Sequence, residues 1–336
     1  MAEKQPNIRY IRNEQLKTVK PNYPGNKMID GQFANGEELY LPSFQTLLKW
    51  QLSRNPQKAE KEQDKYTPAV LTDAQVFTSK QDMLVWLGHA SFLLRLNGVS
   101  FLLDPILFNS AFLKRRHPLP CTVNDIRNIN YLVLSHGHRD HLDEKSIQAV
   151  VKNNPLIKAL CPLAMGPLLH QMAPGLVYQE AGWYQRYILP ENLGVEVYYL
   201  PAAHWHRRGL NDLNKVLWGS VLFKAKGKLI YFAGDSAYKE HFAEIRNLFG
   251  IPDIAIMPIG AYKPPYMMQL SHMNPTEAVQ AANDMSAQTF IPMHYGTFDL
   301  SDEPAGEPVR LLQELASSGK LDGNLQIPAV GERVLF

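Results

Sequence analysis

Three histidines and one aspartate fall within the segment SHGHRDH at residues 135–141. The chain holds 11 histidines among 336 residues, so such a cluster is rare by chance. Neutral imidazole and carboxylate are good ligands for zinc and similar ions. His136 and His138 can converge on one ion, and Asp140 and His141 are better placed for a second ion. The loop therefore predicts a metal site.

Three later residues each lie shortly after a predicted strand: His204 after 195–200, Asp235 after 229–233 and His294 after 289–293. Taken singly, each fits a turn, a helix cap or a locally satisfied side chain equally well. Taken together, they are single candidate ligands at recurrent strand ends, where α/β proteins place their sites. A closed structural zinc site built from the loop alone stays open as an alternative, but it would leave these three residues unexplained.

The chemistry that such ligands permit is hydrolysis. Two ions held about 3.5–4 Å apart share one water and lower its pKa toward neutrality, which provides a nucleophilic hydroxide that bridges the metals. The same ions can bind a phosphoryl or carbonyl oxygen and stabilise the charge that develops on it. The sequence contains no GxSxG, P-loop or GxGxxG motif, which argues against serine hydrolases, nucleoside triphosphatases and dinucleotide-dependent enzymes.

The composition is that of an ordinary globular protein, with 45% hydrophobic and 20% charged residues. The net charge of +2 is too small to argue for a nucleic-acid partner. Cys121 and Cys161 form no disulfide framework, and we expect both thiols to be buried. No signal-peptide pattern and no run of about 18 apolar residues occurs. We therefore expect a cytoplasmic or peripherally membrane-associated protein.

Short apolar runs separated by turns begin at residue 83 and predict the elements that position these ligands. MLVWLG, SFLLRL and VSFLLD read as hairpin strands with a turn at 97–99, and YLVL is a strand that leads into the histidine loop. Later strands alternate with helical patterns near 144–151, 240–248, 275–285 and 306–317. This mixture predicts a layered α/β protein.

The first 80 residues differ in composition, being rich in Asn, Lys, Gln and Pro. We interpret 1–80 as an N-terminal extension and 81–336 as the hydrolase domain. Within the extension, FQTLLKWQL at 44–52 predicts a short amphipathic helix, and 54–66 a charged linker or exposed helix. The short helix would either dock on the main domain or lie on a membrane surface with Trp50 as an anchor.

Longer motifs resemble a known family. In chain order they are WLGHASFLL, LLDPIL, LPCTVNDI, SHGHRDHLD, PAAHW, NKVLWGS, YFAGDSAY, PIGAYKP, SHMNPTEAV and HYGTFDL. HxHxDH followed by isolated His, Asp and His resembles the metallo-β-lactamase superfamily over residues 81–336. The longer motifs resemble its N-acyl phosphatidylethanolamine-hydrolysing phospholipase D branch. The resemblance implies the α/β class with a four-layer αβ/βα sandwich.

The resemblance also implies two zinc ions, in a site that other divalent transition metals can occupy. The implied ligands are His136, His138 and His204 for the first ion, Asp140, His141 and His294 for the second, and Asp235 as a bridge. His206 is a rival to His204, and we expect it to lie behind the ligands or to be exposed. His89 resembles a family position of structural rather than catalytic character.

The predicted catalytic residues are Asp140, Asp235 and His272. His272 resembles a family histidine near the active site, where it would protonate the leaving group or orient the phosphate. The alternative is an ordinary histidine before the helix at 275–285. We expect His272, Tyr262, Met267 and Met268 to line the substrate site, the methionines as an adaptable apolar wall.

The predicted function is a zinc-dependent phosphodiesterase of phospholipase D type that acts on N-acyl phosphatidylethanolamine or a related lipid. Two alternatives stay open: a soluble metallohydrolase, such as a lactonase or a sugar-phosphate or cyclic-ester hydrolase, and a lipid-binding module without turnover. We expect a phospholipid substrate, contact with a peripheral membrane surface and no nucleic-acid partner, and an oligomer stays open. The basic segment 112–117 would favour anionic lipid.

Overall fold

The computed structural model describes residues 5–35, 44–110 and 113–336. In chain order the strands are β1 (Ile8–Ile11), β2 (Lys17–Thr18), β3 (Asn26–Ile29), β4 (Gln32–Phe33), β5 (Met83–Gly88), β6 (Ser91–Leu96), β7 (Val99–Leu103), β8 (Tyr131–Val133), β9 (Lys158–Pro162), β10 (Val177–Ala181), β11 (Gln185–Arg186), β12 (Glu196–Leu200), β13 (Ser220–Ala225), β14 (Lys228–Phe232), β15 (Ile254–Pro258), β16 (Thr289–Met293), β17 (Asn324–Leu325) and β18 (Arg333–Leu335). The helices are α1 (Phe44–Leu52), α2 (Lys58–Gln63), α3 (Glu144–Asn153), α4 (Gly166–Met172), α5 (His241–Phe249), α6 (Pro265–Met268), α7 (Pro275–Asp284) and α8 (Glu307–Ser317).

The first large sheet has the strand order β10–β9–β8–β7–β6–β5–β18. Strands β5 to β7 form antiparallel hairpins, and β7 to β10 run parallel. The hairpin between β6 and β7 turns at Asn97 and Gly98, whose φ angles of 51° and 76° are the positive values that a two-residue type I′ turn requires. The turn predicted at 97–99 is therefore confirmed.

The second large sheet has the order β17–β16–β15–β14–β13–β12–β11–β2. Strands β14, β15 and β16 are parallel to one another, and β12 runs in the same direction because β13 is antiparallel to both β12 and β14. The carboxyl ends of β12, β14 and β16 therefore lie at one edge of the sheet. His204, Asp235 and His294 follow these three strands, so the topology brings them to that edge.

The two large sheets pack face to face. The rings of Phe92 and Phe232 are 6.3 Å apart between centroids, and those of Phe101 and Phe223 are 5.0 Å apart. Helices α3 and α4 bury apolar residues such as Ile147 against the first sheet, and α5, α7 and α8 pack against the second. The predicted four-layer αβ/βα sandwich is confirmed.

The N-terminal residues contact the main domain at several places. Thr18 of β2 pairs with Gln185 of β11 at the end of the second sheet, while β1, β3 and β4 form a small sheet of their own. Helix α1 occupies the predicted range, and α2 is exposed within the predicted charged segment. Trp50 Nε1 donates a hydrogen bond to Asp302 Oδ2, 3.1 Å. A domain division at residue 80 stays a prediction.

The expectation of two buried thiols is wrong for one of them. Cys161 lies in β9 and is buried, but Cys121 is only partly buried. Cys121 belongs to the surface loop that ends in a 3-10 turn over Val123–Asp125, where neighbouring residues face solvent. Across the described ranges, no helix is both long enough and apolar enough to cross a membrane.

Candidate metal centre

The loop that follows β8 carries four of the predicted ligands. The backbone N–H of Leu142 donates to the carbonyl of His138, 2.8 Å, and closes the loop into a tight turn. Arg208, which comes from the segment after His204, places Nη1 2.8 Å from the carbonyl oxygens of both Gly137 and Leu142. One guanidinium group therefore holds the backbone on both sides of the loop, a role that the sequence pattern does not indicate.

The first predicted group of ligands converges. His138 Nδ1 lies 3.1 Å from His136 Nε2 and 2.9 Å from His204 Nε2. Because zinc binds imidazole nitrogen at about 2.0–2.1 Å, nitrogens this close together can share one ion. The structure thus brings together three residues from a loop and a distant strand end, the group that the resemblance implies for the first ion.

The second predicted group lies next to the first. Asp140 Oδ2 is 3.6 Å from His141 Nε2 and 3.4 Å from His294 Nε2. His294 has a positive φ of 63°, so the chain turns sharply after β16 to present this ring. Two nitrogens and one carboxylate oxygen therefore face a common point.

Asp235 lies between the two groups. Its Oδ2 is 3.1 Å from His294 Nε2 and 3.2 Å from His141 Nε2. The same oxygen is 3.9 Å from both His136 Nε2 and His204 Nε2. Asp235 thus occupies the position that the resemblance implies for a bridge, and its role as a ligand stays a prediction.

Asp104, at the end of β7, orients two of these histidines. Its Oδ2 accepts a hydrogen bond from His141 Nδ1, 2.8 Å, and another from Ser135 Oγ, 2.5 Å. Ser135 Oγ in turn lies 2.9 Å from His136 Nδ1, which donates to it. With Nδ1 protonated in both rings, Nε2 carries the lone pair and faces the site. Sequence reasoning missed this role, although Asp104 directly follows a strand, as the predicted ligand His294 does.

The segment after α6 orients a third histidine. His204 Nδ1 donates to the carbonyl oxygen of Ser271, 2.9 Å, which leaves Nε2 to face His138. The backbone N–H groups of Ser271 and His272 both donate to the carbonyl of Met268, 2.9 Å each. The chain from α6 to His272 is therefore fixed to the metal centre.

The electrostatics of the site distinguish two kinds of histidine. Burial lowers the pKa of His138 and His204 to about 3, which keeps these rings in the neutral form that metals require. Burial also opposes charge on His294, but the charges of Asp235 and Asp140 raise the pKa of this ring to about 9. The two carboxylates attract positive charge, which a bound cation would supply in place of a proton.

The donor set fits divalent metal ions of the zinc type. His141 Nε2, His294 Nε2 and Asp235 Oδ1 are buried and have no hydrogen-bond partner among the residues described. Buried polar atoms normally have a partner, so atoms without one need an explanation such as an ion. Imidazole nitrogens and carboxylate oxygens are the donors that zinc and related ions prefer.

His272 stands at the edge of the cluster. Its Nδ1 lies 3.8 Å from Asp235 Oδ2, and its ring centroid is 5.1 Å from that of His204. The side chain is 12% exposed, whereas the predicted histidine ligands His136, His141 and His294 are 1% exposed or less. His272 is therefore placed near the ions and still in reach of solvent, and its catalytic role stays a prediction.

The other predicted substrate residues lie around α6. Tyr262 is buried, and its hydroxyl donates to Glu307 Oε1, 2.5 Å, so only its ring is free for an apolar contact. Met268 is buried and Met267 is partly buried. The structure places these side chains on the segment that leads to His272, while their contact with substrate stays a prediction.

His206 is buried, so the option of an exposed side chain is wrong. Its ring centroid is 6.1 Å from that of His138, which places the ring behind the ligand. A Cβ atom on Gly137 would come within 2.4 Å of His206 Cε1. The ring therefore covers the loop backbone so closely that only glycine fits at position 137.

Residues 100–295 match the family described as "Beta-lactamase superfamily domain". This match spans more than half of the chain, and it contains all seven predicted ligands. The chain therefore belongs to the beta-lactamase superfamily.

Two relatives indicate which branch of the superfamily the chain resembles. The chain is 31% identical over 286 residues to N-acyl-phosphatidylethanolamine-hydrolyzing phospholipase D 1 of Caenorhabditis elegans, covering 81% of this chain and 80% of that protein. It is 32% identical over 265 residues to the mitochondrial enzyme of that name from Saccharomyces cerevisiae, covering 75% of this chain and 55% of that protein. The resemblance indicated by the sequence motifs is confirmed.

Solved structures share the fold. A metallohydrolase from Ignicoccus hospitalis superimposes with a TM-score of 0.58 at 22% identity, covering 76% of this chain and 97% of that one. An isothiocyanate hydrolase from Delia radicum gut bacteria does so with a TM-score of 0.60 at 21% identity, covering 76% and 98%. At this identity the likeness concerns the fold alone. The family and the site together support a metal-dependent hydrolase.

Proposed function

We propose that the protein is a zinc-dependent phosphodiesterase of phospholipase D type that hydrolyses N-acyl phosphatidylethanolamine or a related lipid phosphodiester. The observation that carries this proposal is the position of α6, which lies beside exposed apolar side chains of α1 and leads directly to His272. The activity for which the relatives from Caenorhabditis elegans and Saccharomyces cerevisiae are named supports the same class of substrate here.

The proposed roles follow from the geometry. The ligands would be His136, His138 and His204 for one ion, Asp140, His141 and His294 for the other, and Asp235 for both. When bound, such ions activate a water and stabilise negative charge on a phosphoryl oxygen. Asp104 and Ser271 fix the orientations of the His141 and His204 rings by hydrogen bonds. His272 would orient the phosphate or pass a proton to the leaving oxygen.

The α1–α6 apolar surface consists of Leu47, Leu48 and Leu52 of α1 with Tyr266 and Leu270 of the α6 segment, all of them exposed. Leu48 is 42% exposed and Leu52 is 78% exposed. Exposed apolar side chains on two neighbouring segments favour contact with acyl chains or a membrane surface.

Two contacts hold α1 to the domain beside this surface. Lys49 Nζ lies 4.6 Å from the ring centroid of Tyr266, and Trp50 is hydrogen-bonded to Asp302. Because the Trp50 indole N–H is already engaged, the leucines rather than Trp50 are the candidates for membrane contact.

The basic segment at 112–117 contributes less than its composition indicates. Phe112 lies outside the described residues. Arg115 donates to the carbonyl oxygens of Leu87 and Ile106, and Arg116 lies 3.5 Å from Asp299. Lys114 is exposed and remains a candidate contact for an anionic headgroup.

A product assay tests the proposal. Protein loaded with zinc is incubated with N-acyl phosphatidylethanolamine in vesicles, with a short-chain soluble phosphodiester and with a lactone. We expect phosphatidic acid and N-acyl ethanolamine from the vesicles, at a rate above that of the soluble ester. Hydrolysis of the lactone or soluble ester without the lipid would support the soluble metallohydrolase instead, and lipid binding without any hydrolysis would support a binding module.

A further inference from the structure

His89 lies beside the second group of predicted ligands, in the turn between β5 and β6. Its side chain is 2% exposed, and its Nε2 lies 3.1 Å from Asp140 Oδ2. That oxygen also faces the Nε2 atoms of His141 and His294. His89 therefore reaches the oxygen of Asp140 that the predicted metal ligands share.

The backbone of His89 is held in a costly conformation. Its φ is 55°, a left-handed value that residues other than glycine seldom adopt. The N–H of His89 donates to Thr297 Oγ1, 2.7 Å, and its carbonyl accepts from His294 N–H, 3.1 Å, and from Trp86 Nε1, 2.8 Å. Strained backbone that is held by several bonds is a frequent mark of a functional position.

The ring of His89 is enclosed by other rings. Its centroid lies 4.1 Å from that of His294, 5.1 Å from Phe298 and 5.3 Å from His141. This packing leaves the imidazole little freedom to turn away from Asp140. The backbone bonds and the neighbouring rings thus aim Nε2 at one carboxylate.

The neighbours of His89 differ from those of the two predicted histidine ligands in its own group, His141 and His294. His141 Nε2 and His294 Nε2 each lie within 3.6 Å of both Asp140 and Asp235. Of the described carboxylates, only Asp140 comes within 4.0 Å of a ring nitrogen of His89. A carboxylate that binds a metal is itself usually held by a hydrogen bond, and loss of such a partner typically weakens metal binding.

We propose that His89 is a positioning residue, whose Nε2–H holds the Asp140 carboxylate in the orientation that binds the second metal ion. This inference rests on the proposed metal centre and adds a residue to it. It predicts that His89 acts on one ion and not on the other, since the first group of ligands does not contact it.

Three substitutions distinguish the effect of the hydrogen bond on metal binding from the effects of ring packing and backbone strain. His89→Gln keeps an N–H near the position of Nε2, and His89→Phe keeps a flat ring without the N–H. His89→Asn tolerates a positive φ well but is too short to reach Asp140, so it serves if the Phe variant does not fold. His170→Gln, at an exposed position in α4, is the control.

The measurement is the affinity of the protein for each of the two ions. It is obtained for zinc by competition with a chelator, and for cobalt by absorption spectroscopy. His89→Phe and His89→Asn should bind one ion as the wild type does and the other about 10- to 100-fold more weakly. His89→Gln should restore most of the loss, and His170→Gln should behave as the wild type.

Wild-type affinity for both ions in His89→Phe or His89→Asn would overturn the inference. Equal losses for both ions in all three variants, or a wild-type protein that binds no second ion, would also overturn it. If the expected loss appears in a protein that hydrolyses no lipid, the proposed function fails while the role of His89 stands.

Discussion

Replacing Asp104 with Asn tests how the metal centre is organised, because the change removes a charge and hardly alters the shape. Both carboxylate oxygens accept from N–H groups: Oδ1 from Ser135 N–H and Oδ2 from His141 Nδ1–H, 2.8 Å each. An amide offers one oxygen and one NH₂ group, so either orientation sets two donors against each other. To avoid this, His141 would have to move its proton to Nε2, the atom that faces the metal.

The magnitude follows from the lost hydrogen bond. A hydrogen bond to a charged group contributes about 1.5–3 kcal/mol, and about 1.36 kcal/mol corresponds to a tenfold change. We therefore expect Asp104→Asn to bind metal about 10- to 150-fold more weakly, which agrees with the 10- to 100-fold typical of residues that orient ligands. Turnover at limiting zinc should fall in parallel.

The assay is a chelator competition at fixed pH, with the metal-free proteins compared by thermal unfolding. Asp143→Asn is the matched control, since Asp143 caps α3 by accepting from Ser146 N–H, 2.8 Å, and asparagine caps a helix equally well. An Asp104→Asn protein that binds both ions with wild-type affinity would refute the reasoning, because it would mean that the tautomer of His141 does not depend on this carboxylate.

Three further changes address the remaining parts of the proposal. Asp235→Ala should lower metal content and abolish hydrolysis together, because Oδ2 lies within 3.9 Å of a nitrogen in each ligand group; full activity with normal metal content would exclude a shared dinuclear site. His272→Ala should reduce turnover about 10²–10⁴-fold if the ring transfers a proton, with metal content unchanged, and unaltered steady-state kinetics would assign His272 a structural role. Replacing both Leu48 and Leu52 with Ser should reduce the fraction of protein that sediments with anionic vesicles, without changing its metal content. Unchanged vesicle binding would show that α1 does not contact the membrane.

The clustering of the seven predicted ligands could be anticipated because two simple signals carry it. The spacing from His136 to His141 places four ligands in one loop, and the other three follow strands of one sheet whose ends meet at one edge. Apolar runs such as β5 and β14 are strong signals for buried strands, so most of the large sheets are predicted well from the sequence.

The surroundings of the ligands could not be anticipated in the same way. Asp104 and Ser271 accept hydrogen bonds from His141 and His204, which lie 37 and 67 positions away, and no local pattern encodes such pairs. The strands β1 to β4 also escape prediction, since their side chains are largely polar or exposed and lack a period of two. The hydrogen bonds of Arg115 to the backbone carbonyls of Leu87 and Ile106 could not be predicted either, because such contacts have no sequence signature.

The seven predicted ligands lie far apart in the sequence, and this separation affects how the protein acquires metal during synthesis. His136, His138, Asp140 and His141 emerge from the ribosome together, well before His204, Asp235 and His294. Histidine-rich unfolded segments also bind metals, which reduces the advantage that the native state gains from binding. A nascent chain that meets free zinc early would bind it with an incomplete set of donors, and an ion held by donors from both ligand groups would have to be released before the two sites can form. Refolding in a chelator, followed by zinc, should therefore give more active protein than refolding in excess zinc.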